Sequence, residues 1–225
     1  MANIYVIGIG YKPLEKRSAD IIARSAIILA SQRLYEVFLR YPECEAAADR
    51  LRVINNVNET IGFMESLIKE NPDSTITLLA SGDPMFFGIG RRTVEEFGKD
   101  SVEIIPDLSS LQRAFSLIKE PWDDALLVSL HGGPDPDRRR KPEYGLDDIP
   151  SILDKSGKIA ILTDGINNPS VIAARLVSHD DIRIYVCERL GYPEERVIEG
   201  SPREIAAQTF ADPNIVIIKA GAEER

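Results

Sequence analysis

The run Ile4-Tyr5-Val6-Ile7-Gly8-Ile9 carries no charged residue at any position. A strand with one wet face alternates polar and apolar side chains, so a strand without alternation needs cover on both faces. The rest of the first half supplies the partners and the cover. Strand-like runs at residues 26–30, 52–57, 75–80 and 102–105 alternate with helical spacing at residues 18–25, 31–39, 61–70, 88–97 and 109–118. In the third of these helices Ile61, Met64, Leu67 and Ile68 recur at the helical period. The expected fold class is α/β, with a mostly parallel sheet covered on both sides.

Glu120-Pro121-Trp122-Asp123-Asp124 interrupts this alternation, and Trp122 with its aspartates reads as packing at a domain junction. The pattern then restarts, with strands expected at residues 126–130, 158–163, 182–187 and 214–219 and helices at 149–155, 170–177 and 202–210. Two α/β domains follow, residues 1–120 and 121–225, and 225 residues suffice for two of about 100 each. The net charge of −9 argues against nucleic-acid binding, which needs a basic face. An anionic small molecule would need basic residues concentrated locally. The two cysteines, Cys44 and Cys187, lack metal-ligand spacing, so no metal site is expected and a reducing cytoplasm is the expected location. No apolar run approaches the ~18 residues of a membrane span, and no targeting segment is expected ahead of the first strand.

Ligands of parallel α/β sheets bind beyond the carboxyl ends of the strands. Four loops at such ends are candidates. Gly8-Ile9-Gly10 is a tight turn without the third glycine of a dinucleotide fingerprint. In Ser81-Gly82-Asp83-Pro84, Gly82 clears space while Asp83 either fixes the turn or accepts hydrogen bonds from a ligand. Ser109-Ser110 sits where a helix cap is ordinary. Ser129-Leu130-His131-Gly132-Gly133 contains one of the two histidines, a candidate proton acceptor near neutral pH. Arg91-Arg92 and Arg138-Arg139-Arg140-Lys141 are either solvated charge or forked donors for substrate carboxylates. His179 lies beside Asp180 and Asp181 in a polar loop and receives no chemistry.

These turns occur together with Pro121-Trp122-Asp123-Asp124-Ala125, Leu162-Thr163-Asp164-Gly165 and Val186-Cys187-Glu188-Arg189-Leu190-Gly191, in one order along nearly the whole chain. In this the chain resembles the tetrapyrrole methylases, and within them the subfamily that methylates carbon 5 of cobalt-precorrin-7. The resemblance implies two α/β domains with S-adenosylmethionine in the cleft between them, and a homodimer. It implies cofactor contacts at Gly10 and Pro13, at Ser81, Gly82, Asp83 and Phe86, at Ser109 and Ser110, and at Leu130, His131, Thr163, Asp164 and Gly165. Two departures stand out: Tyr11-Lys12 where many members carry Pro-Gly, and Gly133 where the subfamily often has arginine.

The reaction implied is transfer of a methyl group from a sulfonium to an electron-rich ring carbon of a corrinoid on the way to cobalamin. It needs alignment and exclusion of water, with no metal. His131 is the candidate base, and Arg91, Arg92, Arg138, Arg139 and Arg140 are candidate partners of the substrate's carboxylates. With its end at residue 225, the chain is expected to act at carbon 5 alone and to leave the second methylation to a separate methyltransferase/decarboxylase. Alternatives are a methylase of another tetrapyrrole or of a diphthamide precursor, a nicotinamide-dependent oxidoreductase, and a non-catalytic carrier of cofactor or corrinoid.

Overall fold

The computed structural model describes residues 3–131, 143–179 and 181–221. The chain divides into two compact units, Met1–Ser109 and Ser110–Arg225. The sequence places the boundary after residue 120, whereas this division groups the helix Ser110–Ile118 with the second unit.

The first unit runs β1 (Ile4–Ile9), α1 (Lys16–Arg24), β2 (Ile27–Ala30), α2 (Gln32–Phe38), α3 (Glu43–Ala47), β3 (Leu51–Val53), α4 (Val57–Glu70), β4 (Ile76–Ser81), α5 (Ile89–Phe97) and β5 (Val102–Ile105). Its strands lie in the order β3-β2-β4-β1-β5, and every pairing is parallel. All six residues of β1 are buried, as a central strand covered on both faces requires. Ile4 and Val6 join Ile76, Leu78 and Met64 in one core cluster. On the opposite face Thr77 meets Ser25 at the end of α1 in a buried hydroxyl pair 2.7 Å apart. Helix α4 starts before its apolar stripe because Asn56 caps it, accepting the amides of Asn58 and Glu59.

The second unit runs α6 (Ser110–Ile118), β6 (Leu126–Ser129), α7 (Ile149–Ser156), β7 (Lys158–Leu162), α8 (Pro169–Ala174), β8 (Ile182–Glu188), β9 (Arg196–Gly200), α9 (Pro202–Ala206) and β10 (Asn214–Ala220). The strand order is β6-β7-β10-β8-β9. Among the described residues of this unit only β6 and β7 pair in parallel; β10 runs antiparallel to β7 and β8, and β8 to β9. This sheet is mixed, which departs from the mostly parallel arrangement that the alternation suggests. The reason is β9, which that reading leaves out. Residues 189–195 are too few for a parallel crossover, so β9 returns as a hairpin arm. Helix α9 opens on Ser201 with a complete capping box to Glu204 and proline at its start. It ends at Ala206, short of the expected residue 210.

The Pro121–Ala125 stretch is tied to this sheet. The buried Lys158 donates to the Pro121 carbonyl at 3.1 Å and to Asp124 at 2.7 Å, and Glu120 takes the ammonium of Lys219. Trp122 itself is 46% exposed, so its indole is not the packing element that the sequence suggests.

Candidate functional site

Strand order fixes where a ligand fits the first unit. From β1 the chain crosses over β4 to reach β2; from β4 it crosses over β1 to reach β5. Right-handed crossovers then send the two connections to opposite faces, and the loops after β1 and β4 diverge. Such a switch point opens a crevice at the carboxyl edge of the sheet. Gly10 follows β1 there, and Ser81, Gly82 and Asp83 lie at the end of β4.

Backbone contacts hold this edge together. The Gly82 amide donates to the Ile9 carbonyl at 2.9 Å, and the Asp107 amide donates to the Gly82 carbonyl at 3.2 Å. Gly82 takes φ +56, and a Cβ there would meet the Leu108 carbonyl oxygen at 2.5 Å. Asp83 Oδ1 accepts the Met85 amide at 2.8 Å, which closes the turn into α5. The Pro84 carbonyl accepts the Gly90 amide at 3.0 Å. Gly10, with φ +137, has nothing within 4 Å of where a Cβ would stand, so that side of its Cα is open. Ser109 is buried beside this turn, while Pro13 and Ser81 are exposed.

Two residues here escaped the sequence reading. Asp107 Oδ2 accepts the amides of Tyr11 at 2.8 Å and Lys12 at 3.2 Å, so the loop after β5 holds the loop after β1. Its signal was an acid directly beyond a parallel strand. The Tyr41 hydroxyl accepts the Gly10 amide at 2.8 Å, and burial pushes its phenol above the ordinary range. No local pattern announces Tyr41, which lies in the turn between α2 and α3.

In the second unit the carboxyl ends of β6 and β7 lie side by side, with Ser129 opposite Leu162. The Leu130 amide donates to the Leu162 carbonyl at 2.9 Å. His131 Nδ1 stands 3.1 Å from the Thr163 carbonyl. A carbonyl only accepts, so Nδ1 carries the proton and, in the neutral ring, Nε2 is the basic nitrogen. The Thr163 hydroxyl donates to Asn214, whose carbonyl oxygen is at 2.9 Å and side-chain oxygen at 2.5 Å. Asp164 Oδ1 accepts the amides of Ile166 and Asn167, and the Asn167 side chain donates to the Leu130 carbonyl at 3.1 Å. Gly165 is exposed with open space at its Cβ position. The structure thus brings Leu130, His131, Thr163 and Asp164 together and adds Asn167 and Asn214.

The arginines divide. Arg92 is mostly buried and pairs with Glu96 at 2.8 Å on its own helix. Arg91 keeps about half its side chain exposed, 3.7 Å from Glu95. Arg138, Arg139 and Arg140 lie outside the described residues. Among the described residues no group of three or more His, Cys, Asp or Glu is placed to hold a metal ion, and no helix is long and apolar enough to cross a membrane.

The family profile described as Tetrapyrrole (Corrin/Porphyrin) Methylases matches residues 3–206. A probable cobalt-precorrin-7 C(5)-methyltransferase of Methanocaldococcus jannaschii is 26% identical over 98% of this chain and 99% of its own. The cobalt-precorrin-7 C(5)-methyltransferase of Salmonella typhimurium is 33% identical over 61% of this chain and 63% of its own. The crystal structure of a precorrin-6Y methylase from Archaeoglobus fulgidus superposes with a TM-score of 0.67 at 22% identity, covering 99% of both chains. At that identity the likeness speaks for the fold.

Proposed function

Because the chain belongs to the tetrapyrrole (corrin/porphyrin) methylases, which draw their methyl group from S-adenosylmethionine, we propose that it methylates carbon 5 of a corrinoid precursor, cobalt-precorrin-7 or precorrin-6Y, in cobalamin biosynthesis. The alignment with the Methanocaldococcus protein, end to end in both chains, carries this reading.

S-adenosylmethionine, when bound, supplies a methyl group already activated on a sulfonium. The chain's work is then to hold, orient and shield. In the first unit Gly10, Pro13, Ser81, Gly82, Asp83, Phe86 and Ser109 are the proposed cofactor contacts, and the crevice edge fits that role. Gly10 leaves open space where a side chain would stand, and Asp83 Oδ2 has no hydrogen bond among the described residues. In the second unit the proposed contacts are Ser110, Leu130, His131, Thr163, Asp164 and Gly165. His131 Nε2 is the proposed acceptor for a macrocycle proton, its ring oriented by the Thr163 carbonyl. Arg91 is the better placed of the first arginine pair to meet a substrate carboxylate.

The same reading carries a homodimer, a cytoplasmic setting and a separate methyltransferase/decarboxylase acting next; light scattering and fractionation test the first two. The central test incubates the protein with methyl-labelled S-adenosylmethionine and each corrinoid, and locates the label by NMR. Label at carbon 5 is expected. Label at another carbon, or none with either substrate, overturns the reading.

A further inference from the structure

Among the described residues three other than glycine adopt left-handed backbone: Phe87, Lys119 and Arg189. Lys119 directly follows helix α6, where this conformation is ordinary. Arg189, at φ +48, ends the strand β8. Any residue with a Cβ is strained there, and glycine or asparagine is the cheaper occupant. An arginine in such a place calls for a use of its side chain.

The surroundings show what that use is. The Arg189 amide donates to the Pro213 carbonyl at 2.8 Å, which fixes the strained residue against the start of β10. The next residue, Asn214, accepts the Thr163 hydroxyl, and the Thr163 carbonyl in turn accepts from His131. Arg189, Asn214, Thr163 and His131 therefore form one row along the sheet edge, across β8, β10, β7 and β6. Neighbouring strands stand ~4.8 Å apart, so the row spans about 14 Å. Arg189 is partly buried, yet its guanidinium has no hydrogen bond or ion pair among the described residues. Three acids near it in the chain or across the strand pair have other partners. The buried Glu188 takes Arg196 and the Ala211 amide. Glu195 takes Arg113 through both oxygens and the Gly191 amide. Asp212 accepts the Asn214 side chain.

We propose that Arg189 binds a peripheral carboxylate of the substrate, the far end of an edge whose near end is His131. The reading rests on the proposed corrinoid substrate, whose several carboxylates suit a forked guanidinium. It gives the Cys187–Gly191 stretch a division of labour: Glu188 is structural, and Arg189 is the part offered to the ligand.

The test measures binding by absorbance titration of two cobalt corrinoids, one with free carboxylates and one with those groups converted to neutral amides. Wild-type protein is compared with Arg189→Gly and Arg189→Lys. Arg189→Gly is expected to weaken binding of the acid form at least tenfold and to leave the amide form and S-adenosylmethionine within twofold. Its Tm should equal or exceed that of wild type, because the strain is gone. Arg189→Lys should recover part of the loss. Equal weakening of both corrinoids, no weakening of either, or no binding of the acid form by wild type overturns the proposal. Binding without methylation at carbon 5 would sink the proposed reaction, while Arg189 would still be judged by the titration.

Discussion

A Cβ on Gly8 would stand 1.8 Å from the carbonyl oxygen of Gly82 and 2.6 Å from the Asp107 amide nitrogen. Both of those atoms belong to backbone hydrogen-bonded to each other at 3.2 Å, so neither has a flexible side chain to move aside. Gly8→Ala is therefore expected to destabilise the first unit by roughly 2–3 kcal/mol, an overpacking cost. Gly10→Ala meets no atom within 4 Å and bears only the strain of φ +137, about 1–2 kcal/mol. Urea unfolding of the two variants should rank them in that order; the reverse order would mean that the crevice edge yields more easily than its packing implies.

Asp107 makes the loop after β1 dependent on the loop after β5, through Tyr11 and Lys12. Asp107→Ala frees the amides of Tyr11 and Lys12, with the segment leading to Pro13, and also the Leu108 amide that Oδ1 accepts. S-adenosylmethionine affinity by calorimetry should fall about tenfold, in keeping with the ~1.5–3 kcal/mol typical of hydrogen bonds to a charged group. Asp107→Asn keeps an acceptor oxygen and should lose less. Equal losses would assign the effect to charge rather than to tethering.

Asp83 has two separable jobs in the proposed site. Its Oδ1 closes the turn onto Met85, a bond that asparagine can also accept. Its charge and Oδ2 are left for a ligand. Asp83→Asn should therefore unfold at nearly the wild-type temperature while binding S-adenosylmethionine at least fivefold more weakly, and Asp83→Ala should lose both stability and affinity. Cofactor affinity unchanged in Asp83→Asn would remove Asp83 from the contact set.

These residues also show what the sequence reveals and what it hides. The parallel first sheet is legible because Ile4–Ile9 and Ile76–Ser81 are buried nearly throughout, and a strand covered on both faces announces itself by its missing alternation. The edge strand β9, with only Gly200 buried, carries no such signature, and without it the antiparallel half of the second sheet is hidden. Turns with glycine and aspartate flag their own strand ends, which is how Gly10, Gly82, Asp83 and Asp164 come forward. Tyr41, Asp107 and Asn214 act across separations of 31, 95–96 and 51 residues, and local pattern holds no trace of such partners.

Glu195 gives the second unit an acid-sensitive contact. The Arg113 guanidinium, through its side-chain hydrogen bonds, holds the carboxyl below its ordinary value of 4.5, with help from the Gly191 amide and against burial. A depressed carboxyl contributes stability that is complete above the unfolded-state value and is lost as pH falls through the folded one. The partly exposed pair should be worth about 1–2 kcal/mol at neutral pH. Arg113→Met should then be less stable than wild type by that amount from pH 6 to 8, and the gap should shrink as pH drops below about 4.5. A gap that stays constant down to pH 3 would show that Arg113 stabilises by packing alone.

His131 can be divided by its two nitrogens. Nδ1 faces the Thr163 carbonyl, and in that tautomer Nε2 carries the ring's basic lone pair. Asparagine places an amide N–H near the Nδ1 position and nothing at Nε2. If Nε2 removes a macrocycle proton, His131→Asn should lower kcat by ~10²–10⁴, a larger loss than the one it causes in S-adenosylmethionine affinity. A variant that keeps wild-type kcat would leave His131 a binding residue oriented by Thr163, and the proton would have to go to solvent or to another group.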